Sequence, residues 1–323
     1  MTNRGHVGRA WNEVFGRVTT GRRNPAQAVV ALGLGLALLS ARGQEHALVL
    51  QTDFGLKDGA VAAMRGVAVG VSPRIPIHDL SHENTPFDIW EAAYRLKQTA
   101  PYWPAGTIFV SVVDPGVGTA RKSVVLKTKS GHLFVSPDNG SLTLVAEELG
   151  VAAVRQIDEA KNRRPGSGRS YTFHGRDVYA YVGARLAAGV IAFDDVGPLL
   201  PSAVVMLADE RPRLEGQVLM GTIPYLDFQY GNVWTNLDEA VFGKLQPNVG
   251  DRFRVTIARK GRDIFAGEMP YARTFADVPA GSPVLYLNSL MNVAIALNQG
   301  DFATTHGVAS GAEWSVRVEK VRR

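Results

Sequence analysis

The chain has no cysteine among its 323 residues. Disulfide bonds, a thiolate nucleophile and zinc sites built on cysteine are therefore excluded. The redox compartment stays open, because oxidising and reducing compartments both tolerate a chain without cysteine. A hydrophobic content of 46% with 20% charged residues is that of an ordinary globular protein, and the length allows two domains with a substantial core.

Lysine is absent from the first 44 residues, which hold six arginines and a single acid. The remaining residues carry 29 basic and 29 acidic side chains, so the pI of about 9.4 is a property of this leader. The body of the chain has no excess of positive charge with which to attract phosphates. Nucleic acid is therefore not expected as a partner.

Residues 1–44 have the features of an export signal. Arg17, Arg22 and Arg23 precede an unbroken apolar run of twelve residues at 28–39. Such a run is short for a membrane span but typical of a signal peptide, so we expect a periplasmic or secreted protein with no stable membrane span. The alternatives are an amphipathic extension or a translation start placed too far upstream, and the protein would then be cytoplasmic.

The next part of the chain alternates between predicted strands and helices. Apolar strands are predicted over residues 47–51, 75–79 and 107–111, and helices over residues 58–70 and from Thr85 onward. Strands that alternate with helices in this way favour a parallel α/β sheet.

An aspartate lies at the end of each of these three strands: Asp53, Asp79 and Asp114. Because the carboxyl ends of parallel strands share one edge of a sheet, and open α/β sheets bind ligands there, these carboxylates indicate a binding site. One or two of them could instead cap helices. The helix after Asp79 is expected to begin with Thr85 as its N-cap and Pro86 in its first turn.

Residues 112–121 place an acid and a base, Asp114 and Arg121, around a Pro-Gly-Val-Gly turn. The segment follows one predicted strand and precedes another, at residues 123–126. Its glycines allow a ligand to approach the backbone closely. On these residues alone, an ordinary surface turn with an incidental salt bridge remains the alternative.

His174 lies just before a helix predicted over residues 178–188, in the sequence Thr-Phe-His-Gly-Arg-Asp. The positive end of a helix dipole disfavours the charged form of a histidine, which would suit a base. A capping or packing histidine is the alternative.

The last third of the chain has a different pattern. Short strands separated by Gly and Pro turns predict a small β-barrel or sandwich with little helix. The predicted strands are residues 214–221, 232–235, 252–258, 264–266, 283–287 and 314–318. We therefore divide the chain into a leader at 1–44, an α/β domain at 45–208 and a β domain at 209–323.

Five motifs together resemble one family, the S-adenosylmethionine hydroxide adenosyltransferases, which are relatives of the fluorinase and chlorinase. The motifs begin at Thr52 (TDFG), Asp114 (DPGVGTAR), Ser136 (SPDNG), Thr172 (TFHGRD) and Tyr230 (YGNVWTN). The resemblance covers roughly residues 47–320. It implies a Rossmann-like N-terminal α/β domain with a parallel sheet, a C-terminal β-barrel, and a homotrimer whose active sites lie between neighbouring subunits.

The family hydrolyses S-adenosyl-L-methionine to adenosine and L-methionine by hydroxide attack at the ribose C5′. The resemblance implies a catalytic triad of Asp114, Arg121 and His174, with His174 or Asp114 as proton acceptor and Arg121 as orienter and anion stabiliser. The leaving group is a neutral thioether, so no general acid is required. No metal-ligand cluster is visible in the sequence, and we expect neither a metal nor another cofactor.

The resemblance also implies six substrate-binding residues. They are Asp53 at the ribose hydroxyls, Phe87 beside the sugar, Asp227 at the methionine ammonium, Asn232 and Trp234 at the adenine, and Ser289 near the amino-acid end. The halogenating relatives have Tyr at the position of Asp114 and Ser at that of Gly175, so hydrolysis is expected here rather than halogenation.

One departure from the family follows Ser289. The family often continues with Arg-Gly, whereas this chain has Leu290 and Met291. If that Arg meets the methionine carboxylate, Leu290 leaves the carboxylate unpaired, which puts the substrate's affinity or identity in question. Together with the leader, Leu290 motivates a second hypothesis, an exported adenosine- or nucleoside-binding protein without turnover.

Overall fold

The structure, a computed structural model, describes residues 45–321. The expected signal peptide lies outside the described residues. Within them, no helix is both long and apolar enough to cross a membrane.

A seven-stranded sheet forms the centre of the N-terminal part. Its strands are β1 (Leu48–Thr52), β2 (Ile77–Ser81), β3 (Ile108–Val112), β4 (Ser123–Thr128), β5 (Leu133–Pro137), β6 (Val151–Gln156) and β7 (Leu199–Leu200). They lie in the order β2-β1-β3-β5-β4-β6-β7, and the first four are parallel, as predicted. Strand β4 is antiparallel to β5 because only four residues join the two, which is too few for a crossover.

Helices cover both faces of this sheet. They are α1 (Ala60–Val71), α2 (Ile89–Thr99), α3 (Thr143–Leu149), the short α4 (Glu159–Asn162), and α5, whose π-helical start (Gly175–Ala180) continues as α-helix (Tyr181–Ala187). One core joins α1 and α5 to the sheet through residues such as Met64 and Val182. The other joins α2 and α3 to the opposite face through Leu96 and Val145.

Three element starts differ from the prediction. Helix α2 begins after Asp88, whose side chain accepts the Glu91 N–H at 2.9 Å, so Thr85 is not the N-cap. Phe87 has φ of 69° and cannot belong to a helix. Strand β2 is displaced by two residues, so Asp79 lies at its middle rather than at its end, and α5 begins three residues before the predicted 178.

Two antiparallel sheets form the C-terminal part. One has the order β10-β11-β15-β14 and the other the order β13-β12-β16-β9-β8. The strands are β8 (Arg213–Glu215), β9 (Val218–Thr222), β10 (Tyr225–Asp227), β11 (Asn232–Asp238), β12 (Arg252–Arg259), β13 (Arg262–Pro270), β14 (Pro283–Leu287), β15 (Asn292–Leu297) and β16 (Trp314–Lys320), and the short helices are α6 (Glu239–Gly243) and α7 (Phe302–His306). Both sheets bury side chains in one core, so the C-terminal part is built from β-strands, as expected. Strands β10 and β15 were not predicted.

The N- and C-terminal parts meet through an aromatic cluster. Tyr94 of α2 stacks on Tyr225 of β10, with ring centroids 4.8 Å apart. The Trp90 indole N–H donates to the Pro224 carbonyl at 3.1 Å, and Trp234 and Leu290 pack in the same cluster. These contacts tie α2 to the sheet that carries Asp227 and Asn232.

Candidate active site

Arg121 joins the three residues of the expected triad into one cluster. Its Nε donates to Asp114 Oδ1 at 2.7 Å, and its Nη2 donates to the other carboxylate oxygen of Asp114. The same Nη2 lies 3.2 Å from His174 Nδ1. The structure therefore brings together residues that are 53 positions apart in the sequence. The alternative prediction of an incidental surface salt bridge is wrong, because the side chains of Arg121 and Asp114 are almost fully buried.

The ends of β3 and β4 position this cluster. Asp114 follows β3 and Arg121 precedes β4, and the turn between them reverses the chain with Gly118 at φ of 80°. Arg121 Nη1 also donates to Ser123 Oγ at 3.2 Å, and the Arg121 guanidinium lies 5.7 Å from the centre of the Tyr179 ring. The guanidinium is thus held on several sides, and its orientation toward His174 is fixed before any ligand binds.

The contact with Arg121 determines the tautomer of His174. A guanidinium only donates hydrogen bonds, so Nδ1 must accept and the proton of the neutral imidazole lies on Nε2. His174 is 6% exposed, and its Nε2 has no hydrogen-bond partner among the described residues. Burial lowers the pKa of His174; Glu159 opposes this shift, and Arg121 adds to it. The expected preference for the neutral form is present, but burial is its main cause rather than the helix terminus.

The first turn of α5 fixes the backbone at His174. A Cβ on Gly175 would lie 3.0 Å from Cε2 of the Phe54 ring, so glycine lets Phe54 pack there without a shift. Asp177, with no exposed surface, accepts hydrogen bonds from Arg164 Nε at 3.0 Å and from Arg176 Nε at 2.8 Å. Burial would raise the pKa of Asp177, but its two arginine partners outweigh this and leave the pKa low. Through its bond with Arg164, the charged Asp177 holds the loop that precedes His174 against α5.

The structure also brings Asp53 and Phe87 together. The Phe87 N–H donates to Asp53 Oδ2 at 2.9 Å, and the Phe87 ring is 71% exposed. Asp53 follows β1 at the same sheet edge as Asp114, as predicted. An exposed aromatic ring beside a carboxylate with free acceptor capacity can bind a polyol that carries an apolar face.

A second group of predicted residues lines a cavity of about 590 Å³ in the C-terminal part. Asp227 and Asn232 belong to it, and Asn232 Nδ2 donates to Asp227 Oδ2 at 3.1 Å. Tyr230, Phe275, Asn298, Gln299 and Asp301 are also in its wall. Amide side chains beside aromatic rings are suited to a heterocyclic base, because the amides pair with its edge and the rings with its face.

Trp234, Ser289 and Leu290 lie outside the wall of this cavity. Trp234 is 7% exposed and packs against Tyr225, with ring centroids 5.9 Å apart. Ser289 is exposed, and Leu290 borders a different cavity, of about 370 Å³, between the two parts of the chain. The adenine contact expected for Trp234 and the amino-acid contact expected for Ser289 therefore stay predictions.

The triad and the Asp227 cavity are separate within one chain. Over residues 45–321, no triad residue lines the cavity and no hydrogen bond joins the two groups. No group of three or more carboxylate or imidazole side chains in this range could hold a metal ion.

Sequence reasoning missed the residues that support the site. Ser123 and Tyr179 contact Arg121, and Thr52 and His82 support the turn at Asp53. Ser123, Tyr179 and His82 stand in none of the five motifs, and Tyr179 and His82 contact partners far along the chain, whereas Thr52 opens the first motif. Tyr230 and Gln299 were also missed, although Tyr230 stands in one of the five motifs.

The chain thus has an α/β part followed by a β part. A buried cluster of ionisable side chains, Asp114, Arg121 and His174, lies at the edge of the first sheet. The chain belongs to the SAM hydroxide adenosyltransferase family, whose N-terminal domain model matches residues 48–197 and whose C-terminal domain model matches residues 221–315. The family resemblance that the five motifs indicate is thereby confirmed.

Named relatives are similar over most of the chain. A protein named (R)-S-adenosyl-L-methionine hydrolase from Salinispora arenicola is 36% identical, over 82% of this chain and 95% of the relative. A protein named fluorinase from an Actinoplanes species is 29% identical over the same shares. The crystal structure of an uncharacterized conserved protein from Thermotoga maritima is 35% identical, with a TM-score of 0.78 over 84% of this chain and 99% of that one.

Proposed function

We propose that this protein hydrolyses S-adenosyl-L-methionine to adenosine and L-methionine. The observation that carries the proposal is the buried Arg121, which holds Asp114 and His174 in one cluster at a sheet edge. The hydrolase relatives support the substrate, and the family resemblance at Asp114 and Gly175 favours water over a halide as nucleophile.

In the proposed reaction, a water oxygen attacks the ribose C5′ as the C5′–S bond breaks. The bonding pair goes to sulfur, so the sulfonium leaves as a neutral thioether and needs no proton. The water proton must be taken up by the site and released to solvent. A positioned base of this kind contributes about 10²–10⁴-fold to the rate.

The tautomer of His174 divides the roles within the triad. Because Nδ1 accepts from Arg121 and Nε2 carries the proton, neutral His174 can donate a hydrogen bond to the water oxygen but cannot take its proton. Asp114 keeps unused lone pairs after its two bonds with Arg121, so we assign proton acceptance to Asp114. Arg121 supplies the positive charge that stabilises the hydroxide as it forms.

We further propose that the working site forms between subunits of a homotrimer. The supporting observation is that the triad and the Asp227 cavity are separate in one chain, while exposed apolar side chains occur near each: Phe87 and Tyr171 on one side, Phe228 and Tyr230 on the other. Contact between copies would cover both groups.

The decisive experiment is to incubate the purified full-length protein with S-adenosyl-L-methionine and measure adenosine and L-methionine by chromatography. We expect both products in equal amounts, and we expect the activity to survive exhaustive dialysis against EDTA. Tight adenosine binding without turnover would instead favour the nucleoside-binding protein. A loss on dialysis that one divalent ion restores would contradict the metal-free mechanism.

A further inference from the structure

A buried histidine, His82, lies behind the turn that carries Asp53, and neither the triad nor the cavity uses it. It is 3% exposed and stands one residue beyond β2. Its Nδ1 lies 2.8 Å from Thr52 Oγ1, and its Nε2 lies 3.0 Å from Asp79 Oδ1. Both ring nitrogens are thus engaged, on opposite sides of the ring.

The direction of each hydrogen bond follows from the partners. An ionised Asp79, held by Arg65 of α1, can only accept, so the proton of His82 lies on Nε2. The remaining lone pair on Nδ1 must then accept the Thr52 hydroxyl proton. The Thr52 oxygen in turn accepts the Phe54 N–H at 3.2 Å.

A continuous relay therefore runs from the surface ion pair of Arg65 and Asp79 through His82 and Thr52 into the turn. His82 contributes a second contact, because its carbonyl accepts the Gly55 N–H at 2.8 Å. This contact holds the turn at Gly55, whose φ of 67° is a conformation that glycine adopts without strain.

The protonation state of His82 agrees with these hydrogen-bond directions. Burial, with the charge of Arg65, lowers the pKa of His82 to about 4, and Glu83 opposes the shift. His82 is therefore neutral at physiological pH, which is the state that the hydrogen-bond directions require.

We propose that His82 is a positioning residue of the candidate active site, acting through Thr52 to fix the turn that carries Asp53 and Phe54. Two contacts connect this turn to the site. Asp53 Oδ2 accepts the Phe87 N–H, and Phe54 packs on Gly175 beside His174. The kinetic consequence rests on the proposed function, whereas the effect on the turn does not.

The test compares His82→Leu with His132→Leu. His132 is an equally buried histidine of the same sheet, with both ring nitrogens engaged by Ser130 and the Trp103 carbonyl. Its partners are remote from the turn, so it controls for the general cost of losing a buried imidazole. A third variant, His82→Asn, places an amide oxygen near the position of Nδ1 and keeps an acceptor for Thr52.

The first measurement is hydrogen exchange at the Phe54 and Gly55 amides, which is independent of catalysis. We expect His82→Leu to raise their exchange rates at least tenfold, His82→Asn to restore much of the protection, and His132→Leu to leave it unchanged. Equal exchange in the two Leu variants would overturn the proposal. If His82→Leu does not fold, the isosteric Thr52→Val, with Thr52→Ser as its control, removes the same link and carries the same expectation.

The second measurement is the kinetics of S-adenosyl-L-methionine hydrolysis. We expect His82→Leu to raise KM by about tenfold or more with a smaller change in kcat, because Asp53 is proposed to bind the ribose. A wild-type protein without turnover would refute the proposed function, while the exchange measurement would still decide the relay. A KM equal to that of His132→Leu would show that the turn keeps its place without His82.

Discussion

A guanidinium group donates hydrogen bonds but accepts none, and this fixes the state of His174 beside Arg121. Asp114 accepts two of the Arg121 N–H groups, and His174 must be neutral to receive a third. Protonation of His174 would place two donors face to face and add a second positive charge to a buried site. The neutral imidazole is therefore the form compatible with the cluster.

The pH dependence of turnover should report this state of His174. Because burial lowers its pKa, kcat/KM should stay constant as pH falls through the ordinary histidine value of about 6.5 and decline only at lower pH. Stability should weaken already as pH falls from about 6.5 toward the lowered pKa of folded His174, since the unfolded chain binds the proton first. The measurement is a pH–rate profile from pH 8 to pH 4.5.

A variant at Glu159 tests whether the acid limb of this pH–rate profile reports the titration of His174. The charge of Glu159 raises the pKa of His174, so Glu159→Gln should move the acid limb to still lower pH while the plateau is kept. Arg163 Nη1 donates to Glu159 Oε2 at 2.8 Å, a bond that the amide oxygen of Gln can still accept. An acid limb that moves upward, or does not move, would assign the titration to another group.

At the level of elements, the start of α5 fixes the backbone at His174. The π-helical turn begins directly after it, and Gly175 lets the Phe54 ring pack against that turn. Phe54 belongs to the turn after β1, so two distant elements of the sheet are in contact at this glycine.

Gly175→Ala tests the contact. Its Cβ would be 3.0 Å from the Phe54 ring, and overpacking of this kind costs about 1–3 kcal/mol. We expect lower thermal stability and at least a tenfold loss of kcat/KM. Gly168→Ala is the control, because no atom lies within 4 Å of the position that its methyl group would take and its φ is not in the left-handed region. Wild-type turnover by Gly175→Ala would show that Phe54 can shift without disturbing His174.

The same elements show how far the sequence could predict the structure. Most strands and helices, and Asp53 and Asp114 at the sheet edge, were predictable because they depend on local periodicity. The N-cap of α2 was not, because neither the φ of 69° at Phe87 nor its bond with Asp53, 34 residues away, has a local signal in the sequence. His174 could be joined to Arg121 only through the family resemblance, because no local pattern spans 53 residues.

At the scale of the whole molecule, the candidate site consists of two halves. The triad lies at the edge of the seven-stranded sheet, and the Asp227 cavity lies in the C-terminal sheets. The aromatic cluster around Tyr94 and Tyr225 fixes how the two parts of one chain sit, so a hinge within the chain is not needed to explain their separation. In the proposed homotrimer, a neighbouring copy would supply the missing half.

Mixed oligomers test this arrangement. Arg121→Ala removes the triad half, and Asp227→Ala removes the cavity half. If sites form between subunits, coexpression of the two inactive variants in equal amounts should restore about one quarter of the wild-type sites, since each intact site needs one good half from each variant. If each site lies within one chain, no activity returns.

A second mixture provides the control and sharpens the prediction. Wild-type chains coexpressed with equal amounts of the Arg121→Ala/Asp227→Ala double variant should also keep about one quarter of the sites when the halves come from different subunits. They should keep about one half when both halves come from the same chain. Adenosine release, normalised to the total coexpressed protein, distinguishes these values once native mass spectrometry has shown that the two chains mix at random. No recovery in the first mixture, together with about one half in the second, would place the whole site in one subunit.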